Sequence, residues 1–279
     1  MKIAKTIKLF INGEFPRTES GRSYPVYIKK TKNIYANICQ ASRKDFRNAV
    51  TAAQGAFASW SSKSAYNRAQ ILYRMAEMME GKREEFNDTL VQTSGLTKAE
   101  ANKAVDAGIE AFVYYAGWTD KYQQVMGAVN PVSGPHHNFT SCEPVGTVAL
   151  IADTDFNLGK LCAHIAAIIA SGNTVVVLMS EEGSAAIAPL SEVFATSDLT
   201  KGTVNLLTGS VEELYKQFGT HMEVQSLSVQ CTDKKVLAEV KAAAADNMKR
   251  VITPTKEVLS LENLTSFVEY KTVWHPIGN

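Results

Sequence analysis

The spacing of apolar and polar positions changes character along the chain and predicts its elements in order. Leu9-Phe10-Ile11 reads as extended chain, Asn12-Gly13 as a turn, and a second short strand follows. Asn-Gly between apolar residues is a strong local hairpin signal, because both positions tolerate positive φ. From residue 42 to 60 the period becomes helical, with Ser42 as N-cap and Phe46, Val50, Ala53 and Phe57 three or four residues apart. A longer helix is predicted over residues 66–94, with Ile71, Met75, Met78 and Met79 inward and a solvated run at Lys82, Arg83, Glu84 and Glu85. Gly95 is its stop signal. Another helix is predicted over 98–122, with Val105, Ile109, Phe112, Val113 and Tyr115 facing the core.

After an irregular stretch at 127–137, rich in Gly, Pro and Asn, strands and helices alternate. Strands are predicted at 147–152, 174–178, 203–207, 224–229 and 250–252. Helices fall between them at 158–170, 184–196, 211–218 and 234–246. That alternation predicts an α/β fold with a doubly wound parallel sheet. Such sheets bind ligands beyond the carboxyl ends of their strands, although the fold alone names no ligand.

Composition narrows the picture. A net charge of +1 gives no electrostatic footprint for nucleic acid. The longest apolar stretches, 161–169 and 174–178, are too short to span a bilayer, and residues 1–6 lack the apolar region of a signal peptide. The four cysteines, Cys39, Cys142, Cys162 and Cys231, lie far apart without a CxxC pair. This spacing argues against a zinc site or a disulfide framework, and the expectation is a cytoplasmic chain with small, buried thiols. His136 and His137 are adjacent, so they cannot both face one metal from a regular element, and they are read as loop residues.

Several phrases, in order, resemble the aldehyde dehydrogenase superfamily. They are Leu9-Phe10-Ile11-Asn12-Gly13-Glu14, Ser20-Gly21-Arg22-Ser23-Tyr24-Pro25-Val26, Tyr114-Tyr115-Ala116-Gly117-Trp118-Thr119-Asp120-Lys121 and Glu143-Pro144-Val145-Gly146-Thr147-Val148. The order continues through Ser171-Gly172-Asn173-Thr174-Val175-Val176-Val177, Gly202-Thr203-Val204-Asn205-Leu206-Leu207-Thr208-Gly209 and Met248-Lys249-Arg250-Val251. Asn263-Leu264-Thr265-Ser266-Phe267-Val268-Glu269-Tyr270-Lys271-Thr272-Val273-Trp274 then resembles the family's extreme C-terminus, although only residues 252–262 precede it where the family carries a whole catalytic domain. The resemblance therefore implies a Rossmann-like cofactor domain over 1–138 and 146–253, and oligomerisation strands at 139–145 and 263–279. It also implies loss of the catalytic domain. The chain is similar to the inactive second half of double-length members.

In the family a cysteine thiolate attacks the aldehyde, a glutamate acts as base, and hydride passes to NAD. The resemblance implies that both catalytic segments are missing, so no catalytic residue is expected. Cys231, in Val229-Gln230-Cys231-Thr232, falls where the family has a cofactor-loop serine. Asp155 replaces the oxyanion-holding asparagine, and a carboxylate there repels developing negative charge. Met179 replaces the ribose-binding lysine, and the phosphate turn has become Gln230-Cys231-Thr232-Asp233-Lys234-Lys235. Only Glu182 and Gly209 survive at cofactor-binding positions. The expectation is no bound cofactor, with NAD as the alternative.

The resemblance thus implies a non-catalytic scaffold or regulatory subunit, forming a homodimer or a hetero-oligomer with an active aldehyde dehydrogenase, without nucleic-acid or membrane partners. An NAD(H)-binding sensor and a residual oxidoreductase using Cys231 are the alternatives.

Overall fold

The computed structural model describes residues 4–231, 233–253, 255 and 257–278. Residues 1–3 and Thr232, which figure in the readings above, lie outside them. Strand β1 (Lys5–Ile7) leads to the Asn12-Gly13 turn, then β2 (Ser23–Tyr27) and β3 (Ile34–Cys39) follow. These three strands form a small sheet in the order β1-β3-β2. At the turn, Asn12 (φ 57°) and Gly13 (φ 71°) are both left-handed, and Ile11 and Glu14 exchange hydrogen bonds of 3.0 Å. The predicted second strand of that hairpin does not extend further. Phe10 instead bonds to Leu206 in both directions, at 3.0 and 2.7 Å.

Helix α1 (Arg43–Ser61) begins at Ser42, whose hydroxyl accepts from the Asp45 amide while the Asp45 carboxylate accepts from the Ser42 amide. This reciprocal cap is worth about 1 kcal/mol. The predicted 66–94 helix is two helices, α2 (Ala65–Gly81) and α3 (Arg83–Thr93). Its run breaks at Gly81-Lys82, where the backbone of Lys82 (φ −104°, ψ 13°) leaves helical geometry. Glycine gives up the most conformational freedom in a helix, and the Lys82 ammonium pairs with Glu192, far along the chain, as well as with Glu85 of α3. Helix α4 (Lys98–Trp118) carries a Thr97/Glu100 capping box, and the short α5 (Tyr122–Met126) stands apart from it.

Strands β4 (Ala128–Asn130) and β5 (His136–Pro144) precede the alternating part. That part runs β6 (Thr147–Ile151), α6 (Leu158–Ala170), β7 (Thr174–Met179), a 3-10 turn at Ser184–Ala186 and α7 (Ile187–Ala195). It continues with β8 (Val204–Thr208), α8 (Val211–Thr220), β9 (Ser226–Val229), α9 (Lys234–Ala245) and β10 (Arg250–Ile252). All five of these strands pair in parallel, in the order β10-β9-β6-β7-β8. Alternate strand residues serve opposite faces. Val148, Leu150, Val175, Val177 and Leu206 enter the core built with α2, α4 and α6, while Ala149, Ile151, Val176, Leu178 and Leu207 enter the core built with α1 and α8. Both faces are covered, which makes the sheet the doubly wound layer the alternation predicts.

The chain finishes with α10 (Leu261–Thr265) and β11 (Val268–Pro276), which pairs antiparallel with β5 over nine residues in a third sheet, β11-β5-β4. His136 and His137 are therefore strand residues opposite Pro276 and His275, not the loop the local composition suggests. Their partners lie far away in the chain, so no local pattern could announce the pairing. Three polar groups, two of them buried, fasten this sheet to the rest. Asn173, fully buried, accepts from the Gly146 amide at 2.8 Å and donates to Phe267 O at 2.8 Å. Arg250 donates to Ser266 O and Val268 O at 3.0 and 2.8 Å. Tyr115 Oη donates to Val258 O and receives the Asn263 amide at 2.9 Å. Residues quoted for the family resemblance are thus the ones that tie distant segments together.

Candidate functional site

The carboxyl ends of β6, β7, β8 and β9 carry the loops that a doubly wound sheet presents to ligands. After β6, Asp155 is exposed and its amide donates to Asp153 Oδ1 at 3.4 Å. Phe156 lies across Gly183, so that a Cβ at 183 would stand 1.9 Å from its ring. Asn157 caps α6 by accepting from the Lys160 amide at 2.9 Å.

Met179, at the end of β7, is fully buried. Glu182 follows it but is exposed and pairs with Lys29 at 3.4 Å, in a groove it shares with Tyr24 and Pro25. Gly209, beyond β8, packs against the Ala41 backbone, where a Cβ would meet the Ala41 amide nitrogen at 3.3 Å. That amide donates to Thr208 O at 2.7 Å, so the turn is closed by the β3–α1 connection. The two surviving cofactor positions are thus engaged with separate neighbours, and no described cavity contains both.

The turn from β9 into α9 decides the fit to a dinucleotide. Asp233 is the N-cap of α9, and its carboxylate accepts from the Lys235 and Val236 amides at 2.8 and 3.3 Å. Free amides at a helix N-terminus attract phosphate. Here a fixed negative charge already occupies two of them and repels another anion. Gln230, 6% exposed, fills the approach and donates to Ser228 Oγ at 2.7 Å. These residues do not fit the pyrophosphate of NAD. An aspartate directly before a helical run is a standard N-cap, and that reading of Asp233 was available in the sequence.

Cys231 is 2% exposed, and its sulfur accepts the Asp233 amide at 3.4 Å, a role in shaping the turn. Cys162 is fully buried, and burial pushes its thiol up to about 12, far from a thiolate at neutral pH. Among the described residues no group of three or more His, Cys, Asp or Glu could hold a metal ion, and no helix is long and apolar enough to cross a membrane. One buried polar residue that the family comparison passes over is His164 on α6, 4% exposed, with no hydrogen-bond partner for Nδ1. Burial lowers its pKa to about 4, outweighing Asn263, which favours the charged form. Its signal in the sequence is a lone imidazole inside the apolar run Leu161-Cys162-Ala163-His164-Ile165-Ala166.

Comparison with known proteins agrees with this architecture. A profile described as Aldehyde dehydrogenase family matches residues 15–255. A mitochondrial benzaldehyde dehydrogenase of Antirrhinum majus is 28% identical over 247 residues, covering 88% of this chain and 46% of that protein. A cytosolic 10-formyltetrahydrofolate dehydrogenase of Mus musculus is 30% identical over 251 residues, covering 88% of this chain and 28% of that protein. Among solved structures, the NAD+ complex of an aldehyde dehydrogenase from Bacillus cereus superposes with a TM-score of 0.84 at 28% identity, over 89% of this chain and 50% of that one. The chain thus spans half or less of the length of these relatives.

Proposed function

The chain belongs to the aldehyde dehydrogenase family, and from that membership we propose a non-catalytic subunit that assembles through its β11-β5-β4 sheet, with a second copy of itself or with an active family member. The observation that carries this reading is the surface of β11. Along nine strand residues only Val268 is buried, and Tyr270, Val273 and Trp274 are 48%, 41% and 61% exposed. Tyr270 and Trp274 share one face of the strand, Val273 lines up with Val129 of β4 on the other, and Ile277 beyond the strand is also exposed. Both β11 and β4 are outer strands of their sheet, and an exposed apolar edge invites pairing unless it is covered. A symmetric dimer would cover it with the same surface of its partner. The absence of catalytic chemistry in this reading is supported by the engaged cofactor positions, by Asp155 and by the buried cysteines.

Trp274→Ala is expected to weaken self-association by on the order of 30-fold, the usual consequence of losing an interfacial tryptophan. Light scattering across a dilution series reads the change. A native protein that stays monomeric at high concentration, and that also fails to co-elute with an active aldehyde dehydrogenase, would remove the proposal. In parallel, calorimetric titration with NAD and NADH is expected to show no saturable heat. Saturable micromolar binding would replace the scaffold by the cofactor-sensor reading.

A further inference from the structure

Between the carboxyl ends of β6 and β9, under the loop that follows β6, lies a cavity of about 130 Å³. Leu150, Phe156, Leu161 and Val258 supply apolar wall, and the imidazole of His164 stands among them. Asp153, Asp155 and Lys160 also line it and reach solvent, so the charged groups form its outer side. An apolar cavity of roughly 150 Å³ accommodates benzene, which sets the scale of an occupant at one ring. Asn157, Gln230 and Thr255 complete the polar side of the lining, opposite the apolar wall.

The polar contact is specific. Asn263, 1% exposed, donates its amide to Tyr115 Oη and to Val258 O, both at 2.9 Å. Its Oδ1 is therefore the atom it can offer to His164, and both Oδ1 and His164 Nδ1 are buried without a partner in hydrogen-bond geometry. A neutral imidazole that turns Nδ1–H toward this carbonyl keeps Nε2 as an acceptor. An anion is disfavoured because Asp153 and Asp155 outnumber Lys160 at the outer side. A buried cation would find no buried counter-charge among the lining residues.

We propose that this cavity binds an uncharged, single-ring molecule carrying one hydroxyl or N–H donor, the ring held by the apolar wall and the donor by His164. The proposal is independent of the assembly reading. It involves binding without turnover. The nearest thiol on the same helix, Cys162, faces Gly108 instead, where a Cβ on that glycine would lie 3.3 Å from the sulfur.

Phenol serves as the probe, with benzene and benzoate as controls, titrated into the full chain by calorimetry and followed by ligand-observed NMR. Phenol is expected to saturate one site and to bind about tenfold tighter than benzene, the worth of one net hydrogen bond, while benzoate does not bind. His164→Leu is expected to bring phenol down to the benzene level, and Val258→Trp to exclude both by filling the space. The variants' folds are checked by circular dichroism. Absence of saturation at millimolar phenol, or equal binding of phenol and benzene by the native protein, overturns the proposal even if a variant fails to fold. So does a folded His164→Leu protein that still binds phenol as tightly as the native chain.

Discussion

Acidification from pH 7 to pH 4.5 is expected to cost the protein on the order of 2–3 kcal/mol of stability through His164 alone. Its imidazole is 4% exposed and held neutral by burial, with a folded pKa of about 4 against 6.5 for the free side chain. Between those values the unfolded chain binds a proton that the folded one refuses, so stability rises with pH across the window and is lost as pH falls. The contribution is complete above the unfolded value and gone below the folded one. Lys160 on the same helix deepens the depression, while Asn263 opposes it. Depressed carboxylates such as Glu80 and Glu213 act in the same direction, but they are exposed and screened. Urea midpoints at both pH values, in the native chain and in His164→Leu, isolate the term. The variant should lose most of the difference, and an unchanged difference would refute the assignment.

Replacing Trp60 by alanine is expected to be more severe, about 4–6 kcal/mol, combining a core cavity with an unpaired carbonyl. The indole is fully buried between α1 and the helices against which the sheet packs, and its Nε1 donates to Ile169 O at 3.0 Å near the end of α6. A loss of this size approaches the whole stability of many domains. The thermal midpoint should fall by on the order of 10–20 °C, or the variant should not fold. Trp60→Phe keeps the ring and loses the donor, so it should retain more than half of the lost stability. If Trp60→Phe were as damaging as Trp60→Ala, the hydrogen bond rather than the packing would govern the site.

What the chain announces locally, it announces well. The strand β6, the helix α6 and the strand β7 are legible because buried parallel strands are continuous apolar runs and helices start at capping residues such as Ser42, Thr97 and Asn157. The misread places are those where a distant partner or a single residue overrides the pattern. His136 and His137 join a strand because Pro276 and His275 lie opposite them. The long predicted helix breaks at Gly81-Lys82, where Lys82 reaches the distant Glu192. At the sheet's carboxyl end, the resemblance names residues in the loops but does not give the orientation of their side chains. Glu182 turns to Lys29 and Asp233 turns onto its own helix, and both choices depend on neighbours that only the folded chain supplies.

The pairing of β5 with β11 also sets an order of events during synthesis. Thr140 and Thr272, which share a hydrogen bond of 2.9 Å, are 132 residues apart in the chain. Closing a loop of that length costs about 4 kcal/mol of chain entropy beyond a constant. As the polypeptide emerges from the ribosome, β5 must therefore wait, with its long edge open, while the entire parallel sheet is translated. A neighbouring nascent chain that has already released its own β11 offers the same strand with an association cost in place of the closure cost. Crowded translation on one message raises the local concentration and lowers that cost, so exchanged pairs, each completing the other's sheet, compete there with chains that close on themselves.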